Sequence, residues 1–512
     1  MKKHIFIISL LSLIYGLTGC YKEIEEFQRP NYVPANVDAK AGSWKPYILT
    51  SASEISVATP TATTSTEYKA ELATLKTLAS NLNAQQKEAV VYWGTGAVYR
   101  WNEIARELAA RYNIPPASNA DGKYPVPDAN NPLADPKFPF ANPPYTSRAL
   151  AYLSVAQYDA LISAWNYKYK YNRQAPSKVD SSIPVAFSSV SALPSYPSED
   201  AVVAATSFAI LKVMFPGEVP YLESKMKEHI ASRQWAGMNV ESDLTAGVEL
   251  GNAVAAKVMA LAKTDGMSAA NNQTLTPAMI EAAKNRGIKE PWVSQETPMR
   301  PPMLPNYGAV KTSNFDRKTL EQIRPSMPYV VGSAEWQKDI DELKTIQKNQ
   351  TREQARIANF WADGAGSYTP PGHWHRIAAN TAYDAKFSEV RMARTLALLG
   401  TAEMDAAIGC WETKYYYYAP RPQQFGLKTS VGLPNFPSYT SGHSTFSAAA
   451  STVLSYIFPD QASRFETYTK EASESRIYGL IHYRVDCEMG LVHGKKIGEY
   501  AIARGKADGS GL

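Results

Sequence analysis

The chain writes one helical unit twice, and this duplication limits its fold more than any other feature. Residues 194–216 laid on 437–459, an offset of 243, agree at eight of 23 positions, from Pro194-Ser195-Tyr196 on Pro437-Ser438-Tyr439 to Phe215-Pro216 on Phe458-Pro459. Unrelated segments of ordinary composition share about one or two. Residues 148–171 laid on 394–417, an offset of 246, agree at twelve of 24, among them Asp159 on Asp405, Trp165 on Trp411 and Lys168 on Lys414. Further on, Ser232-Arg233 falls on Ser475-Arg476, Asp243 on Asp486, Gly247 on Gly490, Gly251 on Gly494 and Asp265-Gly266 on Asp508-Gly509. The earlier YWGTGAVYRWNEIA (92–105) echoes FWADGAGSYTPPGHWHRIA (360–378).

Apolar residues recur at three and four positions through 69–82, 86–111, 147–165, 199–215, 243–263, 376–413, 444–458 and 489–504, which is helical periodicity, and no stretch alternates as a strand. The expected class is therefore all-α, with two pseudo-symmetric helical bundles packed about a pseudo-twofold axis and only the C-terminal one carrying an active site. Expected boundaries are a leader at 1–20, an N-terminal tether at 21–68, a first bundle at 69–266, a Pro-rich connection at 267–350 and a second bundle at 351–512.

The leader, MKKHIFIISLLSLIYGLTGC, pairs two lysines with an apolar run too short for a retained span and ends on small residues before Cys20. It resembles a bacterial lipoprotein signal, which implies a lipid on Cys20 and a chain tethered to the cell envelope, at the outer membrane or its surface. A formal charge of +5, with Lys and Arg scattered among Asp and Glu, gives no basic stripe and argues against nucleic acid as a partner. Cys410 and Cys487 remain after processing; two cysteines are no disulfide framework, and they read as buried thiols or at most one bridge.

Where the copies differ is more informative. His443 stands opposite Asp200, His482 opposite Asn239 and Asp363 opposite Thr95, and Arg421 has no arginine facing it. Residues that the fold needs survive in both copies; these do not, so they are candidates for chemistry. The second half offers Lys414-x6-Arg421-Pro422, then Ser441-Gly442-His443 opening a helix, then Ser475-Arg476-x5-His482-x3-Asp486. Three cations, a hydroxyl and the free N–H groups at a helix N-terminus suit a tetrahedral oxyanion. One histidine can ligate or attack its central atom and the other can move a proton. Asp486, one helical turn beyond His482, is placed to set its tautomer, and Asp363 can do the same for His443 through a tertiary contact.

These three parts together resemble the signature of the type 2 phosphatidic acid phosphatase (PAP2) and vanadium-dependent haloperoxidase superfamily, K-x6-RP, PSGH and SR-x5-H-x3-D. The resemblance is clear over about 360–500 and fainter over about 88–266, and departs from the pattern at Thr440, where proline is usual. It implies that Lys414, Arg421, Ser441, Gly442 and Arg476 cradle the oxyanion, that His482 bonds vanadium or becomes phosphorylated, and that His443 is the acid/base, supported by Asp363. It further implies vanadate as cofactor, with hydrogen peroxide and a halide as co-substrates and hypohalous acid as product. FWADG, TPPGHW, Trp411 three residues before the lysine, and Phe436 as a halide-pocket residue lean toward the haloperoxidases.

Structural roles stay open for several of these residues. Lys414, Arg476, Ser441 and Trp411 keep their twins Lys168, Arg233, Ser198 and Trp165 in the first copy, and Phe436 faces the apolar Leu193. His373 and His375, two apart on a helix, point their rings apart and read poorly as a metal site; His229 and His493 read as surface or satisfied core residues. The alternative activity is an acid phosphatase acting on a small phosphoester through His482, and a third reading is a non-catalytic oxyanion-binding lipoprotein.

Overall fold

A computed structural model describes residues 29–128, 131–187 and 193–511; the leader and Cys20 lie outside them. The chain runs through α1 (Thr66–Ser80), α2 (Ala84–Trp93), α3 (Ala97–Tyr112), α4 (Pro143–Tyr171), α5 (Glu199–Met214), α6 (Val219–Trp235), α7 (Glu241–Ala262), α8 (Thr276–Asn285), α9 (Ala334–Asn349), α10 (Arg352–Phe360), α11 (Thr369–Asp384), α12 (Glu389–Tyr417), α13 (Gly442–Ile457), α14 (Ala462–Tyr478) and α15 (Arg484–Lys506). Shorter helical turns lie between them, and no strand occurs among the described residues.

The axis is the pair α4 and α12, each 29 residues long. Small residues let them approach closely: a Cβ on Gly400 would lie 3.1 Å from Ala151 Cα. Asn142 and Ser388 cap their N-termini by accepting the N–H of Tyr145 and Arg391, and Asn172 and Tyr418 end them in the left-handed conformation. The rest of the repeat follows helix for helix. α5 and α13 have 16 residues each, α6 and α14 have 17 each, and α7 and α15 have 22 and 23.

Shared residues have shared structural work. A Cβ on Gly247 would meet Ser198 O at 2.6 Å, and one on Gly490 would meet Ser441 O at 2.9 Å, so both glycines let a helix pass over an N-terminus. Asp159 accepts the N–H groups of Tyr47, Ile48 and Leu49, and Asp405 those of Ser313 and Asn314; each carboxylate pins an irregular segment to the axis. Arg148–Asp265 and Arg394–Asp508 are matching ion pairs at 2.7 and 2.6 Å. A cis peptide bond occurs at the same place in both copies, at Tyr196-Pro197 in one and Tyr439-Thr440 in the other.

One continuous apolar cluster includes Leu153, Leu161, Val202 and Val254 from the first copy and Leu396, Leu399 and Val453 from the second, so the two halves pack through a shared core. Two expectations change. The periodic runs at 86–111 and 376–413 are each two helices, broken before Ala97 and before Glu389. α6, α8, α9, α10 and α14 escaped the apolar pattern because few of their residues are buried; α6 buries only Leu222, His229, Ser232 and Arg233. The 267–350 connection itself carries α8 and α9.

Candidate active site

Four elements converge at the N-terminus of α13. The loop before it is drawn tight by Lys414, whose three N–H donors go to the carbonyls of Pro437 (3.0 Å), Ser438 (2.8 Å) and Thr440 (2.5 Å). Its twin Lys168 holds Pro194 O in the same way, which identifies the lysine's shared role as a loop clamp. Lys414 thus brings charge to the site rather than a free donor, and burial pushes its ammonium pKa down. Ser441 is the N-cap of α13, and its own N–H donates to Asp486 O, as Ser198 does to Asp243 O. The N–H groups of Gly442 and His443, in the first turn, have no acceptor among the described residues.

Arg421 and Arg476 are both 1% exposed. Arg421 Nε donates to Phe436 O and Nη1 to Ile481 O, while Nη2 is buried without a partner. Arg476 donates Nε to Ser475 Oγ and Nη2 to the carbonyls of Ala358 and Trp361. A buried guanidinium N–H left unmade is expensive. Arg173 and Arg233 of the first copy also carry such a nitrogen, but they lie 3.6 and 3.7 Å from the carboxylates of Glu71 and Asp200. Arg421 makes no ion pair among the described residues, so its Nη2 is open to an acceptor that the fold does not supply.

His482 is 2% exposed and is held by Asp486 at 2.9 Å through Nδ1, with Ser438 Oγ at 3.3 Å from the same nitrogen. Ser438 also donates to Asp486 Oδ2. Nδ1–H donates to the carboxylate, which leaves the Nε2 lone pair without a partner among the described residues. Burial, then Arg421 and Lys414, push the His482 pKa well below its ordinary value, so the ring is neutral at neutral pH. His443 is depressed as well, by burial and then by Arg476. Two neutral histidines beside three cations make one ligand or nucleophile and one proton acceptor.

The first copy shows what fills the same geometry when the motif histidines are absent. At the position of Gly442 stands Glu199, whose carboxylate reaches Lys168 at 2.6 Å. At the position of His443 stands Asp200, 3.0 Å from His229 and 3.7 Å from Arg233. The chain's own carboxylates occupy the cations there. In the second copy both are gone, and a Cβ on Gly442 would meet only the Phe446 ring, at 3.8 Å. An oxyanion such as vanadate or phosphate fits this donor set: cations lacking a carboxylate, an orphaned Nη2, helix amides, and an open place beside Gly442.

Asp363 lies 4.0 Å from His443 Nε2 rather than in hydrogen-bond contact, and its stronger partner is His373, with Nδ1 at 3.2 and 3.3 Å from the two oxygens. Sequence reasoning missed His373; the signal available was that it stands opposite Arg100 when Trp374 is laid on Trp101. Ser438 was missed too, because its twin Ser195 serves Asp243 in the same way. Arg421 does have a partial counterpart: Arg173, out of register, lies 3.3 Å from Asp243. His375 turns to Asn102 and Glu403, away from His373. His229 is buried and held by Asp200 and Trp101, whereas His493 is buried with neither ring nitrogen partnered among the described residues, so it is neither a surface nor a satisfied core residue. Trp411 gives its N–H to Met303 O, and its ring lies 4.9 Å from Phe436, which in turn sits 5.1 Å from Lys414 Nζ and 5.0 Å from Arg421 Cζ. Phe436 is thus beside the cations, with Trp411 behind it. Cys410 and Cys487 are both free and buried.

Residues 394–498, which include every residue of the three-part motif, match the model of the PAP2 superfamily. No curated protein matches the chain by sequence. Among solved structures, the first bacterial vanadium-dependent iodoperoxidase superposes with a TM-score of 0.55 at 22% identity, over 71% of this chain and 91% of that one. A bacterial vanadium-dependent chloroperoxidase superposes in its holo form with a TM-score of 0.50 at 14% identity, over 75% of this chain and 97% of that one. Its apo form gives 0.51 at 14% identity, over 75% and 98%. Residues 394–498 thus resemble the PAP2 superfamily, and they lie within an all-helical fold like those of the vanadium-dependent haloperoxidases.

Proposed function

We propose that this chain is a vanadium-dependent haloperoxidase-like enzyme that uses vanadate and hydrogen peroxide to oxidise a halide to hypohalous acid, tethered to the bacterial envelope through a lipid on Cys20. The observation that carries the reading is the uncompensated cation cluster around His482 Nε2, with Arg421 Nη2 orphaned and the carboxylates of the first copy replaced by Gly442 and His443. The fold's likeness to haloperoxidases over 91–98% of their lengths favours this activity over phosphoester hydrolysis.

Arg421, Arg476, Ser441 and the amides of Gly442 and His443 would hold the oxyanion, with His482 Nε2 as its ligand. Bound vanadate supplies a redox-inert Lewis acid that activates peroxide toward halide. Asp486 fixes the His482 tautomer so that Nε2 keeps its lone pair. His443, neutral at rest with Nε2 buried and without a partner among the described residues, accepts a proton and returns it. Lys414 sustains positive potential and holds the loop that presents Ser441. Phe436 offers an apolar wall beside two cations, which suits a weakly hydrated halide.

The test uses the chain cut after Cys20, loaded with orthovanadate, in peroxide-driven bromination of monochlorodimedone, with His482→Ala as control. Turnover that requires vanadate and His482 supports the peroxidase. No halogenation, together with vanadate-inhibited hydrolysis of an aryl phosphate, would assign the site to a phosphatase.

A further inference from the structure

Beside the cation cluster lies a second histidine–aspartate pair for which the proposed chemistry has no use yet. His373 is 4% exposed and stacks on Trp361 at 4.5 Å with an interplanar angle of 23°. Arg376 Nη2 lies 3.4 Å from His373 Nε2. A guanidinium only donates, so Nε2 is the acceptor nitrogen and Nδ1 carries the hydrogen that goes to both oxygens of Asp363. Asp363 takes this position with φ 43°, in the left-handed region that Asp tolerates better than most residues.

The first copy separates chemistry from packing here. Trp93 and Trp101 repeat the contact of Trp361 and Trp374, at 5.6 against 6.2 Å. In place of the His373–Asp363 pair, Arg100 Nη2 donates to Thr95 Oγ1 at 3.0 Å. The first copy stacks a different histidine on its tryptophan, His229 of α6 at 4.0 Å from Trp93 and 3.0 Å from Asp200, so packing does not demand the histidine at the His373 position of α11 or the carboxylate at the Asp363 position. The copy that retains them is the one whose Asp363 faces His443.

We propose that His373 is a positioning residue for the acid/base His443, acting through Asp363: its Nδ1–H and its stack on Trp361 hold the carboxylate at the distance and orientation that set the basicity of the His443 ring. The inference rests on His443 being the acid/base of the proposed function. Other charges face this pair. Arg476 of α14 faces Asp363 and Arg376 of α11 faces His373, His482 in the loop before α15 faces His443, and Tyr368, edge-on to His373 at 6.2 Å, has Arg106 of α3 over its ring at 5.7 Å. Among the described residues that bear on Asp363, only His373 both donates to it directly and differs in kind from its counterpart in the first copy.

Two variants divide the roles of His373. His373→Phe keeps an aromatic ring against Trp361 and removes the donor; His373→Asn keeps a donor near the Nδ1 position and removes the ring. In His373→Phe, kcat should fall about ten-fold or more, with KM and orthovanadate affinity by calorimetry within about two-fold, and the acidic limb of the pH profile should move to lower pH as Asp363 disengages. His373→Asn should recover kcat to within about three-fold. Imidazole ¹⁵N spectra of the resting protein supply a readout without turnover: His373 should be the Nδ1–H tautomer, and the His443 ring shifts should move in His373→Phe but not in His373→Asn. An Nε2–H tautomer, unmoved His443 shifts, or equal losses in both variants with a lowered Tm would overturn the proposal. If wild-type protein neither halogenates nor hydrolyses, the functional reading fails by itself, while the ¹⁵N shifts still decide whether His373 positions Asp363 against His443.

Discussion

The two copies predict their own interconversion. Gly442→Glu places in the live site the carboxylate that Glu199 already supplies in the silent one, where it reaches Lys168 at 2.6 Å. The first carbon of the side chain has room, since a Cβ at Gly442 meets only Phe446 Cε2 at 3.8 Å and its φ is not positive. To bond Lys414 as Glu199 bonds Lys168, the new carboxylate must displace one of the three carbonyls that Lys414 now serves, so a charge-assisted hydrogen bond of about 1.5–3 kcal/mol replaces an ordinary one of about 0.5–1.5 kcal/mol, a gain of about 1–1.5 kcal/mol. A carboxylate in the first turn of α13 adds about 0.3–1 kcal/mol with the helix dipole, and replacing glycine adds at most about 1 kcal/mol. Ordering a glutamate side chain costs about 1.5–2 kcal/mol. The net gain is about 0–1 kcal/mol. Unfolding entropy of about 2.1 cal/mol/K per residue gives roughly 1 kcal/mol per degree for 512 residues, hence a rise in Tm of at most about 1 °C. Anion binding should meanwhile weaken at least about 100-fold, about 2.7 kcal/mol, because the carboxylate holds the anion's place. Calorimetric titration with orthophosphate and orthovanadate, beside a Gly442→Ala control, measures the second effect, and scanning calorimetry the first. An unchanged Kd in Gly442→Glu would refute the placement of the anion at the N-terminus of α13, and a Tm lowered by several degrees would refute the equivalence with Glu199.

The remaining predictions concern the halide wall and acid stability. Phe436→His puts a donor beside Lys414 and Arg421 and should raise bromide over chloride turnover; an unchanged ratio would return Phe436 to packing alone. His493 is buried without a partner among the described residues, and burial pushes it down to about 3. Its folded pKa lies below the unfolded value of 6.5, so the unfolded state binds the extra proton between pH 6.5 and 3, and stability present above pH 6.5 drains away as pH falls. His493→Met removes that loss. Relative to wild type it should gain about 2 kcal/mol on going from pH 7 to pH 5, from about 1.5 pH units below the unfolded pKa. Urea melts at the two pH values measure it, and parallel losses in both proteins would refute the assignment.

Much of the arrangement was legible because it is written twice. The all-α class followed from apolar spacing, and the doubled sequence assigned Asp159 and Asp405, Gly247 and Gly490, and Lys168 and Lys414 to tasks that both halves share. Subtracting the copies isolated His443, His482, Asp363 and Arg421, since a residue present in only one of two similar folds is not there for the fold. Subtraction fails where a residue serves both purposes, which is why Ser438 and the clamp role of Lys414 escaped it.

What tertiary structure decided was direction and partnership. Sequence spacing puts Lys414 in the site but does not say that its donors go to three carbonyls, because main-chain acceptors carry no residue code. It placed Asp363 near His443 without showing that His373 takes its closer contact, since that bond joins a left-handed turn before α11 to a side chain on that helix. It placed two bundles about an axis without showing that close approach of Gly400 to Ala151 lets the axial helices share one core. The sequence determined which groups the site contains, because residue type and spacing fix charge and periodicity; only the folded chain decided which of their hydrogen-bonding atoms stay free, because that depends on every other donor and acceptor brought within reach.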